Sequence, residues 1–126
     1  MKYLIMIQNN PAVGEMFAAL SDDQRSAMYQ IYWDVERELE ESGELVDSKA
    51  VHDGAQEIIV RGPDGPVSSP GPSPDVGDVL SGYYLVDVAS IARAREIAAR
   101  FPEAAVPGGI RLARTLTQED FDAIGA

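Results

Sequence analysis

Few side chains in this 126-residue sequence can do chemistry, and the types that are missing narrow the field first. There is no cysteine and one histidine. Cysteine nucleophiles, disulfide frameworks, cysteine-ligated zinc or iron–sulfur centres and multi-histidine metal sites within one chain are therefore excluded. No serine stands in a nucleophile elbow, and the paired Asp and Glu residues are adjacent on exposed faces rather than spaced as a carboxylate dyad. Gly108 and Gly109 form a turn without the spacing of a phosphate loop. What remains is proton transfer and hydrogen bonding. His52 is the one side chain that ordinarily titrates near neutrality, and Gly54 permits the turn that would bring Asp53 against it; the alternative is a solvated loop histidine. Tyr32 lies at the edge of an apolar helical stripe, where a phenol that stays protonated at neutral pH serves as hydrogen-bond donor or general acid; the alternative is core packing with the hydroxyl at the rim. Ser73 and Asp75 sit in a loop stiffened by Pro70, Pro72 and Pro74, either as binding groups on a rigid support or as cover for a sheet edge. Gln8 is the one polar group at the end of an apolar strand. Tyr83 and Tyr84 point to opposite faces, so one is expected to line a cavity and the other an interface; the alternative is pure packing for both. Tyr32 and His52 are thus the candidate catalytic pair, with Gln8, Ser73, Asp75 and Tyr83 as candidate substrate contacts, and no metal or cofactor is expected.

The elements that must position these groups follow from hydrophobic spacing. Residues Lys2 to Gln8 read as a strand apolar on both faces, and Asn9, Asn10, Pro11 and Gly14 read as a loop. Ser21 with Gln24 forms a capping box, and Met28, Ile31, Tyr32, Val35 and Leu39 recur at helical spacing, which predicts a helix from about Asp22 to Ser42 stopped by Gly43. Its charged residues, Glu36 and Glu41 among them, read as a solvated face. Glu44 to Val51 reads as a half-exposed strand. Gln56 to Arg61, the turn Pro63-Asp64-Gly65 and Val67 read as a hairpin, and Ser68 to Asp78 as a proline-ribbed loop. Leu80 to Val88 is again apolar on both faces. Ser90 caps a second helix through Ile91, Ala94, Ile97, Ala98 and Phe101, which Pro102 helps to end. A strand at Ile110–Leu116 and a short helix over 117–126, capped by Thr117, complete the chain.

Without the inserted hairpin the order is strand, helix, strand, strand, helix, strand, that of a ferredoxin-like split βαβ sandwich in the α+β class. The two strands apolar on both faces are the two this topology places centrally. Two helices cover only one side of such a sheet, so a second copy of the chain, packed sheet to sheet, is the expected cover for the other. The length fits one domain. A formal charge of −11 would repel a phosphate backbone and anionic lipid, so neither nucleic acid nor membrane is an expected partner. The absence of a long apolar run or a signal-like amino terminus leads to a cytoplasmic expectation.

The runs Met-Lys-Tyr-Leu-Ile-Met-Ile (residues 1–7), Pro-Gly-Pro-Ser-Pro-Asp (70–75) and Gly-Tyr-Tyr-Leu-Val-Asp-Val (82–88) resemble the YCII-related family, in particular its DGPF-domain branch, across residues 1–116. Gly71 and Pro72 fall on that branch's Gly-Pro and Asp75 on its acidic position, while Pro70 and Ser73 replace its aspartate and phenylalanine. The resemblance implies a dimeric α+β barrel of ferredoxin-like protomers, with the 70–75 loop bordering a cavity between sheet and helices. It also implies acid–base chemistry by a His–Asp pair, lyase-type in a few such proteins, on small ring compounds. Here the histidine position falls on Tyr32, and Glu41 falls near the aspartate. Other DGPF-domain proteins have no assigned activity, and some are associated with extracytoplasmic-function sigma factors. The expected function is binding of a small ring-bearing molecule in that pocket, with acid–base chemistry of the lyase or isomerase type. The alternative is a noncatalytic dimeric accessory or regulatory protein.

Overall fold

Strand β1 (Lys2–Asn9) is apolar on both faces and takes a central place in the sheet, beside β5 (Val79–Asp87). The computed structural model describes residues 1–125. With β2 (Leu45–Ala50) and β6 (Ile110–Arg114) at the edges, the order is β2-β5-β1-β6, every neighbouring pair antiparallel. This is the ferredoxin-like α+β arrangement that the order of elements predicts. Alternation decides which side chains go inside. Tyr3, Ile5 and Ile7 of β1 and Tyr84 and Val86 of β5 face the helices, where they bury against Val35, Leu39, Ala94, Ile97 and Phe101. Leu4 pairs with Leu85, and Met6 with Tyr83, on the opposite face, where all four are only half-buried.

Helix α2 (Asp22–Ser42) begins at its capping box and ends at Gly43, whose φ of 78° suits a residue without a Cβ. Its second half packs on the sheet through Val35 and Leu39, while Tyr29, Ile31 and Trp33 remain exposed. The second core helix, α3 (Ile91–Ala98), is capped by Ser90. Strands β3 (Glu57–Gly62) and β4 (Gly65–Pro70) pair only with each other. The terminal helix α4 (Gln118–Gly125) follows Thr117, whose Oγ1 accepts from the Asp120 amide; Ala126, included in the expected terminal helix, lies outside the described residues.

Four expectations are corrected. The segment read as a loop after β1 contains a helix, α1 (Pro11–Ala18), because Asn10 turns its side chain back to accept from the Val13 amide and Pro11 occupies a first-turn position where no amide is needed. Strand β4 continues to Pro70, three residues into the expected loop, where it pairs with Glu57 in a two-stranded ribbon; an edge position tolerates proline. Strand β6 stops at Arg114, short of Leu116. Helix α3 closes at Ala98, and Pro102 opens a separate 3-10 turn over Pro102–Ala105 instead of ending the helix.

Candidate functional site

The 3-10 turn sets a carboxyl group against the first core helix. Phe101, immediately before the turn, is fully buried between two tyrosines, 4.7 Å from the Tyr84 ring and 6.0 Å from the Tyr32 ring, and this anchors the turn to the core. Glu103 then points inward, and the Tyr32 hydroxyl donates to its carboxylate at 2.6–2.7 Å from the two oxygens. The turn is closed from behind by Gly109. A Cβ there would lie 2.1 Å from the Glu103 carbonyl oxygen, so only glycine fits. Gly109 in turn accepts a hydrogen bond from the Gln8 amide at 2.8 Å, tying the 3-10 turn to the end of β1.

Around this pair lies a cavity of about 450 Å³ between α2 and the β2–β5 side of the sheet, within the size range of small-molecule sites. Tyr32, Glu103 and Tyr84 line it, with Ile7 from β1. Glu36, one helical turn after Tyr32, lines it too and accepts from the Ser48 hydroxyl of β2. Trp33 stands at its open rim, 63% exposed.

Burial sets the proton affinities. It lifts the Glu103 carboxyl above the usual range, against the lowering effect of the hydrogen bond from Tyr32. Burial likewise drives the Tyr32 hydroxyl far above the usual phenol range, reinforced by its hydrogen bond to Glu103 and by that residue's charge. The proton between them therefore rests on the tyrosine oxygen, and Glu103 is the group of the pair able to accept one. Tyr84 is pushed up to about 12, first by burial and then by the charges of Glu36 and Glu103. The cavity thus holds two carboxyl groups and two protonated phenols on apolar walls, a set able to accept and donate protons at different points of one small ligand.

The comparisons with known proteins bear on this fold as a whole. A model of the YCII-related domain matches residues 1–117. The chain belongs to that family. No curated protein matches it.

In this YCII-related chain the sequence-derived candidates part company. Tyr32 lies in the cavity, but its carboxylate partner is Glu103; Glu41 is exposed nine residues further along α2. His52 is exposed outside the cavity, and its Nδ1 accepts from the Gly54 amide while Asp53 accepts from Asn9, so the two do not pair. Ser73 and Asp75 are exposed and do not border the cavity. The Ser73 side chain and carbonyl cap the loop's own amides, and Asp75 flanks a separate groove against α1. The loop diverges because β4 carries it away with the hairpin, where Gly71 donates to the Gln56 carbonyl. Tyr83 takes the uncovered face and donates to Asp47 at 2.6 Å; its neighbour Tyr84 takes the cavity. Gln8 is buried beside the Gly108–Gly109 turn, not on the cavity wall.

Glu103 and Glu36 escaped the sequence reading. Glu36 was grouped with a solvated charge run, although its spacing of four from Tyr32 puts it on the same helix face. Glu103 carries no local signal, since Pro-Glu-Ala-Ala is an ordinary turn sequence. Among the described residues, no group of three or more His, Asp or Glu is arranged to hold a metal ion.

Proposed function

We propose that this protein binds a small ring-bearing molecule in the cavity beside Tyr32 and Glu103 and moves a proton on it, in a cofactor-free reaction of the lyase or isomerase type. The observation that carries the reading is the buried Tyr32–Glu103 hydrogen bond opening onto a cavity of ligand size. Glu103 is the base, because it is the carboxylate beside the cavity whose proton affinity burial raises. Tyr32 holds the carboxylate in place and stabilises its charge. Aromatic and aliphatic walls favour a flat ring, which Tyr84 and Ile7 can flank.

The test is a thermal-shift screen of small phenols, lactones and ring-bearing acids and amines against the parent, Glu103→Gln and Tyr32→Phe. A compound that stabilises the parent and is turned over should lose about 10²–10⁴-fold in rate in Glu103→Gln. Compounds that stabilise all three proteins equally, or none that stabilises the parent, would sink the reading.

The family branch, assembly and location belong to the same proposal. The Gly71-Pro72 and Gly82-Tyr83-Tyr84 matches support the DGPF branch. The half-buried face of Leu4, Met6, Tyr83 and Leu85 supports a homodimer packed sheet to sheet. A cytoplasmic location is consistent with the finding that no helix among the described residues is long and apolar enough to cross a membrane.

A second reading, a noncatalytic dimeric accessory or regulatory protein linked to transcription or signalling, draws on a different observation. The β3–β4 hairpin leaves Ile58, Ile59, Val60 and Val67 at least half exposed, an apolar surface of the kind that marks protein contacts. Under that reading, removal of the hairpin abolishes function while Glu103→Gln leaves it intact.

A further inference from the structure

The polar groups of the cavity are unbalanced in sign. Glu103 and Glu36 both line it, and the hydrogen bonds they accept come from the neutral hydroxyls of Tyr32 and Ser48. Among the described residues, neither carboxylate has a cationic side chain in a salt bridge. One basic residue, Lys49, also lines the cavity on the Glu36 side, but its ammonium donates to Asp47 at 3.1 Å and to the Ser48 carbonyl at 3.1 Å, which leaves two carboxylates against one ammonium already engaged. On α2 the neighbouring Arg37 is paired with Asp34, and Arg100 with Glu38.

A second observation concerns Tyr84. The residue is 8% exposed, yet its hydroxyl has no hydrogen-bond partner among the described residues and is not sealed off from the cavity. Open to the cavity and without a partner, that hydroxyl is free to donate to or accept from a bound ligand. Glu36, Glu103 and Tyr84 all line this one cavity, so the three groups face one space. Aromatic faces add to the preference, because the π-clouds of Tyr32, Tyr84 and the rim Trp33 attract positive charge.

We infer that the cavity takes a ring-bearing organic cation, a protonated amine or nitrogen heterocycle, with its charge between Glu36 and Glu103 and a hydrogen-bond contact to the Tyr84 hydroxyl. The inference rests on the pocket reading above and narrows it to a ligand class. A neutral ring would leave Glu36 facing the ligand without a salt-bridge partner, and an anionic ring would meet two carboxylates lining the same cavity.

Three isosteric probes separate charge from shape: phenethylammonium, 2-phenylethanol and 3-phenylpropanoate, titrated at pH 7. Trp33 is the only tryptophan in the chain and stands at the rim, so intrinsic fluorescence reads the cavity directly. Phenethylammonium should bind at least about tenfold more tightly than either other probe, a preference that added salt reduces. Glu36→Gln, which keeps an acceptor for Ser48, should weaken phenethylammonium more than 2-phenylethanol and so reduce the preference, with Glu103 supplying what remains. Equal or tighter binding of the alcohol or the carboxylate, or a preference that Glu36→Gln leaves undiminished, overturns the cation inference while leaving the pocket reading standing. Failure of all three probes to bind overturns both.

Discussion

Replacing Tyr32 by phenylalanine removes one oxygen atom from the site, and its consequences can be worked through in advance. The ring keeps its stacking on Phe101, so the fold should survive. Glu103, 5% exposed, loses the donor that holds its carboxylate. A hydrogen bond to a charged group is worth about 1.5–3 kcal/mol, and breaking a fully buried pair costs about 3–5 kcal/mol. The cavity lets water reach the freed carboxylate, which favours the lower range. A loss of about 1.5–3 kcal/mol at pH 7 corresponds to a fall in Tm of roughly 5–15 °C for a domain of this size. The cost should depend on pH. Burial raises the Glu103 carboxyl in the folded state, so the native protein binds more protons than the unfolded chain; its stabilising contribution is complete below the ordinary glutamate range and is lost as pH rises through the raised value. Without the Tyr32 donor, which works against that rise, the loss deepens and extends to higher pH. At about pH 4 the acid is largely neutral in both states, and only a neutral hydrogen bond, about 0.5–1.5 kcal/mol, is given up. Urea unfolding of parent and variant at both pH values measures the difference, and the same substitution made in a Glu103→Gln background should show a small cost with little pH dependence. An equal cost at pH 4 and pH 7, together with an equal cost in the Gln background, would refute the coupling between hydroxyl and carboxylate.

Three further outcomes test how the site is held. Gly109→Ala should destabilise by at least about 1–3 kcal/mol in chemical unfolding and displace Glu103, because the new Cβ meets the Glu103 carbonyl. Asn10→Ala removes the cap of α1 and the hydrogen bond to Asp78, and should cost about 1–2 kcal/mol, with amide exchange accelerating first in Pro11–Ala18. Leu85→Asp places a charge in the middle of the uncovered sheet face, and should turn the proposed homodimer into a 13.6 kDa monomer in sedimentation equilibrium without unfolding it.

Local rules account for most of the elements. The 21-residue helix could be read from its capping box, its stripe and Gly43, because each of those signals acts within a turn or two of chain. The central strands could be read because a strand buried on both sides must be apolar on both faces, and those faces also fixed the sheet order. Even so, α1 was lost: proline and asparagine were weighed as loop formers, whereas at a helix start the same residues serve as first-turn residue and cap. The site divides along the same line. Tyr32 was legible as a polar group on an inward stripe. Its partner was not, since 71 positions separate it from Glu103, and only the docking of Phe101 and the gap left by Gly109 bring them together. His52 and Asp75 looked reactive by type, but nothing in a residue's type says whether its neighbourhood excludes water. The sequence alone therefore determined most of the elements, their order and the inward faces of the central strands and of the second half of α2. Tertiary packing decided which carboxylate meets the tyrosine and how far burial shifts its proton affinity, because desolvation and long-range contact exist only once the chain has closed on itself.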